Sequence, residues 1–273
     1  MDRLSPLLSR FPLHAKVFHS GPLCGSSGLY EGDNIGHLHL LRRGRMRVSG
    51  PRLREQLIEE PVLLLFPRAC AHRLYAEEAD GAELLCAAFD FSAGLGNPLL
   101  RSLPDQIVLP LERIPGLGPT LELLFAEAFA EHCGRQAAVN RLVEYVLILL
   151  LREVMDSQLL QAGLLVGLAE PRLAKALDAL HQRPQENWNL QDLASHAGMS
   201  RARFAEQFRR LVGQTPMDYL TDWRLSLARQ LLKSGRPLAL VAPAVGYSSP
   251  EALSRVFSQR LGQSPRAWLK HQG

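Results

Sequence analysis

Residues 190–216 read LQDLASHAGMSRARFAEQFRRLVGQTP, and residues 238–265 read LALVAPAVGYSSPEALSRVFSQRLGQSP. Laid over one another, they match at an offset of 48 as far as Gly198 and Gly246, and at 49 beyond. At the second offset Phe204 falls on Leu253, Phe208 on Phe257, Gly213 on Gly262 and Pro216 on Pro265. Tyr219 then falls on Trp268, and Leu220 on Leu269. An internal repeat redefines the fold that carries it, and two copies are too few for a solenoid. Each copy reads as an apolar-patterned helix, a glycine, a short turn with a serine, and a second helix. Glycine supplies the positive φ that a tight interhelical turn needs. Ser200 stands where a helix N-cap accepts from the backbone N–H groups of the next turn.

This is the grammar of the helix-turn-helix, whose second helix enters the major groove of DNA. One copy is a weak signal, because many helical hairpins share the pattern. Two copies in a basic segment are a strong one. Residues 170–273 hold 15 Lys and Arg against 8 Asp and Glu, whereas residues 1–169 hold 16 against 19, so the net charge of +4 hides a basic back and a mildly acidic front. A basic back points to a polyanionic partner. Arginine supplies 27 of the 31 positive residues. A GC-rich genome produces that bias unaided, so the asymmetry carries the argument.

Residues 171–273 resemble the DNA-binding domain of AraC-type transcription regulators. The matching stretches are LASHAGMSRARFAEQF, GQTPMDYLTDWRLSLARQLL, VGYSSPEALSRVFSQRLG and QSPRAWL, in the family's order and spacing. The resemblance implies seven helices, two helix-turn-helix units joined by a long helix, and sequence-specific binding of double-stranded DNA near promoters. RNA polymerase is a further partner it suggests. Residues 1–165 look like the cupin-type sensing domain of one branch of this family, with HLHLLRRGRMRV and LLLFPRACAHRL as landmarks. The expected fold is therefore α+β: a cupin-like β-barrel with a helical pair, then an all-α domain with two helix-turn-helix units.

On the first recognition helix Phe204, Phe208 and Leu211 share a face and belong to a core. That leaves Ser200, Arg201, Ala202, Arg203, Glu206, Arg209 and Arg210 for DNA. In the family the residue two after the first aromatic is often a base-contacting arginine; here it is Glu206. A glutamate repels phosphates yet accepts from cytosine N4, and it equally well pairs with Arg210 one turn on. On the second helix Ser249, Pro250, Glu251 and Arg255 face outward. Arg255 keeps the family's arginine and either contacts DNA or pairs with Glu251. The joining helix, 217–233, spans about 25 Å at 1.5 Å per residue. With its turns it sets the two reading helices about 34 Å apart, one turn of DNA.

The front of the chain reads as strands broken by Gly/Pro turns. His37–Leu41 is a mostly apolar run, Arg45–Ser49 alternates, Val62–Phe66 is apolar throughout, and Glu83–Phe91 is a further candidate. Helical spacing takes over near Pro119, giving a helical pair over about 119–158 with Gly134 as a stop between them. Leu142, Val146 and Leu150 in the second helix form an apolar stripe, either core or a two-fold dimer contact. Gln161–Pro171, with two glycines, reads as the interdomain linker.

His37 and His39 are two apart on a candidate strand, so their rings share a face. With His72 they resemble the histidines of metal-binding cupins, but Leu40, Leu41, Arg42 and Arg43 occupy the places where the metal's glutamate falls. The expectation is no metal and no cofactor. The three histidines with Arg43 or Arg45 form instead a candidate site for an anionic small molecule. No nucleophile–base pattern stands out, so no catalytic residue is named. The competing class is a cupin-type metal-dependent enzyme with a helical appendage. Four cysteines are scattered without a CxxC pair, which suits a reducing cytoplasm. Cys24, Cys70 and Cys86 are candidates for a redox signal, with Arg68 and Arg73 expected to lower the pKa of Cys70. The longest apolar run, Tyr145–Leu151, is closed by Arg152, far short of the about 20 residues a membrane span needs. The first residues lack a secretory apolar core. The expectations are a cytoplasmic protein, no membrane partner, and a homodimer.

Overall fold

The computed structural model describes residues 2–27, 35–91, 97–157 and 159–270. The chain divides into two compact units. One comprises Pro12–Leu95 and Leu100–Leu160, and the other Met1–Phe11, Gly96–Leu99 and Gln161–Gly273.

The first unit is built from strands β1 (His14–Pro22), β2 (Gly25–Ser26), β3 (Gly36–Arg43), β4 (Met46–Gly50), β5 (Leu53–Ile58), β6 (Val62–Phe66), β7 (Arg73–Ala76), β8 (Glu83–Asp90) and β9 (Ile107–Pro110). They form two antiparallel sheets, ordered β1-β8-β3-β6-β9 and β2-β7-β4-β5. The sheets do not close into one ring, so the expected barrel is realised as two open layers. Period-2 alternation explains the core between them. Leu41, Val62, Leu64, Phe66, Leu84 and Cys86 from one sheet meet Met46, Val48, Ile58, Leu74 and Ala76 from the other. The continuous apolar run of β6 is buried on both faces.

After the short α2 (Pro98–Ser102), two longer helices complete this unit, α3 (Leu117–Phe129) and α4 (Arg135–Asp156). The first ends at Phe129, and Gly134, at φ +80°, occupies the N-cap of the second instead of stopping the first. Among the described residues strand β1 pairs with β8 alone, which leaves its other edge open to unwanted pairing. Helix α4 covers that edge. Gln136, Asn140 and Glu144, four residues apart, bond the backbone of Val17 and Ala15 at 2.9–3.3 Å. Val146 and Leu150 are buried within this unit, and Leu142 is half-buried. The apolar stripe therefore belongs to the protomer's own core, because its side of α4 is the side that packs.

The second unit is helical. It contains α1 (Ser5–Arg10), α5 (Leu164–Ala169), α6 (Pro171–Gln182), α7 (Leu190–His196), α8 (Arg201–Val212), α9 (Pro216–Lys233), α10 (Leu238–Ala244), α11 (Pro250–Leu261) and α12 (Pro265–Lys270). Among the described residues seven helices follow residue 170, the number that the resemblance implied. The stretch read as a linker carries α5, whose Leu164, Leu165 and Leu168 are buried. Gly167 is required there: a Cβ would lie 2.7 Å from Val212 Cγ2. Glycine content suggested a loop, but at Gly167 it permits close packing. The first residues also join this unit. Leu4, Leu7 and Phe11, at helical spacing, are buried, and Asp2 Oδ1 accepts from the Ser5 N–H at 3.0 Å.

Candidate nucleic-acid interface and ligand cavity

The sequence repeat is also a repeat of hydrogen bonds. After α7 the N–H groups of Ala197, Gly198 and Met199 donate to the carbonyls of Leu193, Ser195 and Ala194. After α10 those of Val245, Gly246 and Tyr247 donate to Val241, Pro243 and Ala242, each 48 residues on. Gly198 and Gly246, at φ +62° and +90°, are the left-handed residues that let each helix end and the chain turn. Ser200 then accepts from the Arg203 N–H at 3.4 Å, and Ser249 from the Ala252 N–H at 3.2 Å. The same devices launch both α8 and α11.

Phe204 and Phe208 anchor α8, Leu253 and Phe257 anchor α11, and all four are fully buried. Leu211 is half-buried, and Val212 takes the inner position beside it. Ser200, Arg201, Ala202, Arg203, Glu206, Arg209 and Arg210 are all exposed. On α11 Glu251 and Arg255 are exposed, while Ser249 and Pro250 are half-buried. No side chain of Arg201, Arg203, Arg209, Arg210 or Arg255 has an ion-pair or hydrogen-bond partner among the described residues. Neither alternative pairing, Glu206 with Arg210 or Glu251 with Arg255, is formed. Elsewhere in the unit the side chains of Arg172, Arg236 and Arg266 are likewise without a partner among the described residues, while other arginines are engaged. Arg224 holds the Pro184 and Glu186 carbonyls at 2.7 and 2.8 Å, and Arg260 pairs with Asp218. Helix α9, which lies between α8 and α11 in the chain, has 18 residues and is about 27 Å long.

In the sheet unit, antiparallel register places His19, Cys86, His39 and Leu64 in one row across four strands. His39 is 2% exposed and His72 reaches it from the loop before β7, with Nε2 to Nε2 at 2.8 Å. The Nδ1 of His72 lies 2.7 Å from the Cys70 carbonyl. The rings of His37, His39 and His72 have centroids 4.9–6.2 Å apart. A cavity of about 210 Å³ opens beside them, lined by Phe18, His19, Leu23, Ser27, His39, His72, Leu74, Leu84 and Cys86. Burial, and then the neighbouring His72, pushes His37 down to about 4, and burial first also lowers His39 and His72.

The structure brings His37, His39 and His72 together but not the arginines. Arg43 reaches out to Glu83 at 2.5 Å, and Arg45 to Asp80 at 2.5 Å. The carboxylate of Glu83 is also held by Arg42 at 3.0 Å. Among the described residues no three His, Cys, Asp or Glu side chains converge as a metal site requires. Cys86 lines the cavity with its thiol pushed up to about 12 by burial, Cys24 is exposed, and Cys70 is half-buried. The Cys70 thiol is raised, by burial and then by Asp105, opposite to the expected lowering. Arg68 itself is turned to Asp105 at 2.6 Å and to the Leu100 and Leu103 carbonyls. Sequence reading missed His19 and Phe18 at the cavity. A register shift between Val17 and His19 places them there, and no spacing rule reveals it.

The cupin family matches residues 2–156, and a helix-turn-helix domain family matches residues 193–271. An AraC-like transcription regulator of Streptomyces antibioticus is 36% identical over 216 residues, 76% of this chain and 70% of that protein. The RCS-specific HTH-type transcriptional activator RclR of Escherichia coli is 27% identical over 232 residues, 83% of this chain and 81% of that one. A solved AraC-type DNA-binding domain from Chromobacterium violaceum is 26% identical, with a TM-score of 0.35, over 38% of this chain and 93% of that one. Among the described residues no helix is long and apolar enough to cross a membrane.

Proposed function

We infer that this chain, which belongs to the AraC-like DNA-binding transcription regulators with an N-terminal cupin domain, reads DNA with both of its helix-turn-helix units. The observation that carries this reading is the pair of equivalently capped helices, α8 and α11, with their unpartnered arginines. A guanidinium left without a protein carboxylate is available to phosphate or to guanine O6 and N7. Ser200, Arg201, Ala202, Arg203, Glu206, Arg209 and Arg210 form the first contact set, and Ser249, Pro250, Glu251 and Arg255 the second. DNA binding resides in residues 171–273, and signal sensing and self-association within residues 1–165.

The sensing site is the cavity beside His37, His39 and His72. The chain's role is regulation rather than catalysis, as for the transcription regulators it resembles. It acts as a cytoplasmic homodimer, and contact with RNA polymerase follows from binding near promoters. With Val146 and Leu150 in the core, the dimer contact falls to the exposed Leu123, Phe129 and Tyr145 of α3 and α4. Of Cys24, Cys70 and Cys86, Cys24 is the exposed thiol available to a redox signal.

Selection of binding sites from randomised DNA by the full-length protein tests the reading. Two preferred blocks about 10 bp apart are expected. A single block would mean that one unit reads and the other is structural.

A further inference from the structure

Hydrogen-bond directions in the cavity wall narrow the chemistry of what it holds, on the reading that the cupin unit is the sensor. A carbonyl oxygen only accepts, so the contact from His72 Nδ1 to the Cys70 oxygen at 2.7 Å places the proton on Nδ1. His72 is buried and neutral, so its Nε2 is a lone pair. The Nε2 of His39, 2.8 Å away, must then carry its proton and donate. That leaves Nδ1 of His39 a bare acceptor, buried and without a partner among the described residues. His19 Nε2 in the same wall is also buried without one. A buried acceptor without a partner, such as His39 Nδ1, is rare in folded proteins and calls for a donor.

The rest of the wall restricts that donor. Phe18, Leu23, Leu74 and Leu84 are apolar, and no Asp, Glu, Lys or Arg is among the described residues lining the cavity. A carboxylate would bring acceptors to acceptors with no cation to balance it. An ammonium would donate, but would be buried with no counter-charge. The volume of about 210 Å³ sets the size, since a cavity of about 150 Å³ accommodates benzene.

We propose that this cavity binds a small, uncharged, single-ring or similarly sized apolar molecule bearing one hydroxyl or N–H donor, which the His39–His72 pair receives. The class is phenol-like, and it replaces the anionic ligand that the nearby arginines suggested.

The test is calorimetric titration of the full-length protein with p-cresol, 4-methylanisole and 4-methylbenzoate. These share a ring and methyl group and differ in donor and charge. Saturable one-to-one binding of p-cresol is expected, with 4-methylanisole weaker by about tenfold or more for want of the donor. No binding of 4-methylbenzoate is expected. His39→Phe keeps a ring and removes the acceptor, so the cresol–anisole difference should vanish. Leu23→Trp, at a half-buried loop position, fills the cavity and should abolish cresol binding; it decides the matter if His39→Phe does not fold. Nitrogen-15 NMR of the histidine rings should show Nδ1–H at His72 and Nε2–H at His39. Reversed tautomers, equal binding of the anisole, tighter binding of the benzoate, or no cresol binding each overturn the proposal. A gel shift on the same preparations separates the two readings. DNA binding kept while cresol binding fails refutes the ligand class alone, and loss of DNA binding refutes the DNA reading.

Discussion

Phe11 sets its ring edge-on against the indole of Trp223 in α9, with centroids 5.2 Å apart and planes at 81°. Both rings are fully buried. The carbonyl of Arg10 accepts from Gln230 at 2.7 Å, and the Arg10 guanidinium donates to the Gln182 carbonyl at 2.9 Å. The first residues of the chain are thus part of the core around the helix that joins the two reading units. Phe11→Ala should destabilise this helical unit by about 3–5 kcal/mol, the cost of emptying a buried aromatic site. Urea unfolding followed by tryptophan fluorescence checks it, since Trp188, Trp223 and Trp268 all lie in this unit. A loss below about 1 kcal/mol would mean that the segment is only loosely held.

Arg255 is exposed and free of Glu251. If it makes a bidentate contact to a guanine, Arg255→Ala should cost about 1–3 kcal/mol on the selected site and relax one base pair. Non-specific affinity should change little. A phosphate contact would instead weaken all sequences alike and lower the salt slope by about 1. Binding isotherms at several salt concentrations distinguish the two.

Glu206 holds the equivalent place on α8 with no partner arginine. Removing its charge in Glu206→Ala should raise non-specific affinity. Discrimination should fall at one position if the carboxylate reads a cytosine, and a competition assay with single-base variants of the site measures this.

His181 is buried under Trp223, with its Nε2 2.5 Å from the Tyr219 hydroxyl and its pKa pushed down to about 3 by burial and then by Arg10. The folded state therefore refuses a proton that the unfolded chain accepts near 6.5. Between these values the unfolded state binds more protons, so stability falls as pH falls from about 6.5 towards about 3. The slope from this group is at most about 1.4 kcal/mol per pH unit. His181→Gln should remove that part of the slope in denaturation curves recorded across this range. An unchanged slope would assign the acid sensitivity to other groups.

Alkylation at neutral pH should label Cys24 and Cys133, which are exposed, and spare Cys86 until the protein unfolds. Peptide mass spectrometry after brief iodoacetamide treatment checks the order. Early labelling of Cys86 would show that the cavity opens widely.

Much of this architecture is local and therefore legible from the chain. The Gly198 and Gly246 turns, the Ser200 and Ser249 caps and the Phe204/Phe208 and Leu253/Phe257 anchors are short-range devices, and a repeat doubles their signal. The same holds for His37 and His39 on one face of β3, which follows from a period of two. Tertiary structure decided what depends on partners distant in sequence. Arg43 and Arg45 were drawn away from the histidines because Glu83 and Asp80, some 35–40 residues on, offer carboxylates. Cys70 was raised chiefly because burial desolvates its thiol, with Asp105, 35 residues on, adding to it. Leu142, Val146 and Leu150 declared an apolar face, but periodicity cannot say whether such a face meets its own sheet or another protomer. The Phe11–Trp223 contact spans over 200 residues, and a short amphipathic segment carries no mark of the surface that will bury it. Residue type and spacing thus determined the elements and their exposed faces, while burial against remote neighbours determined which charges, thiols and rings were left free to act.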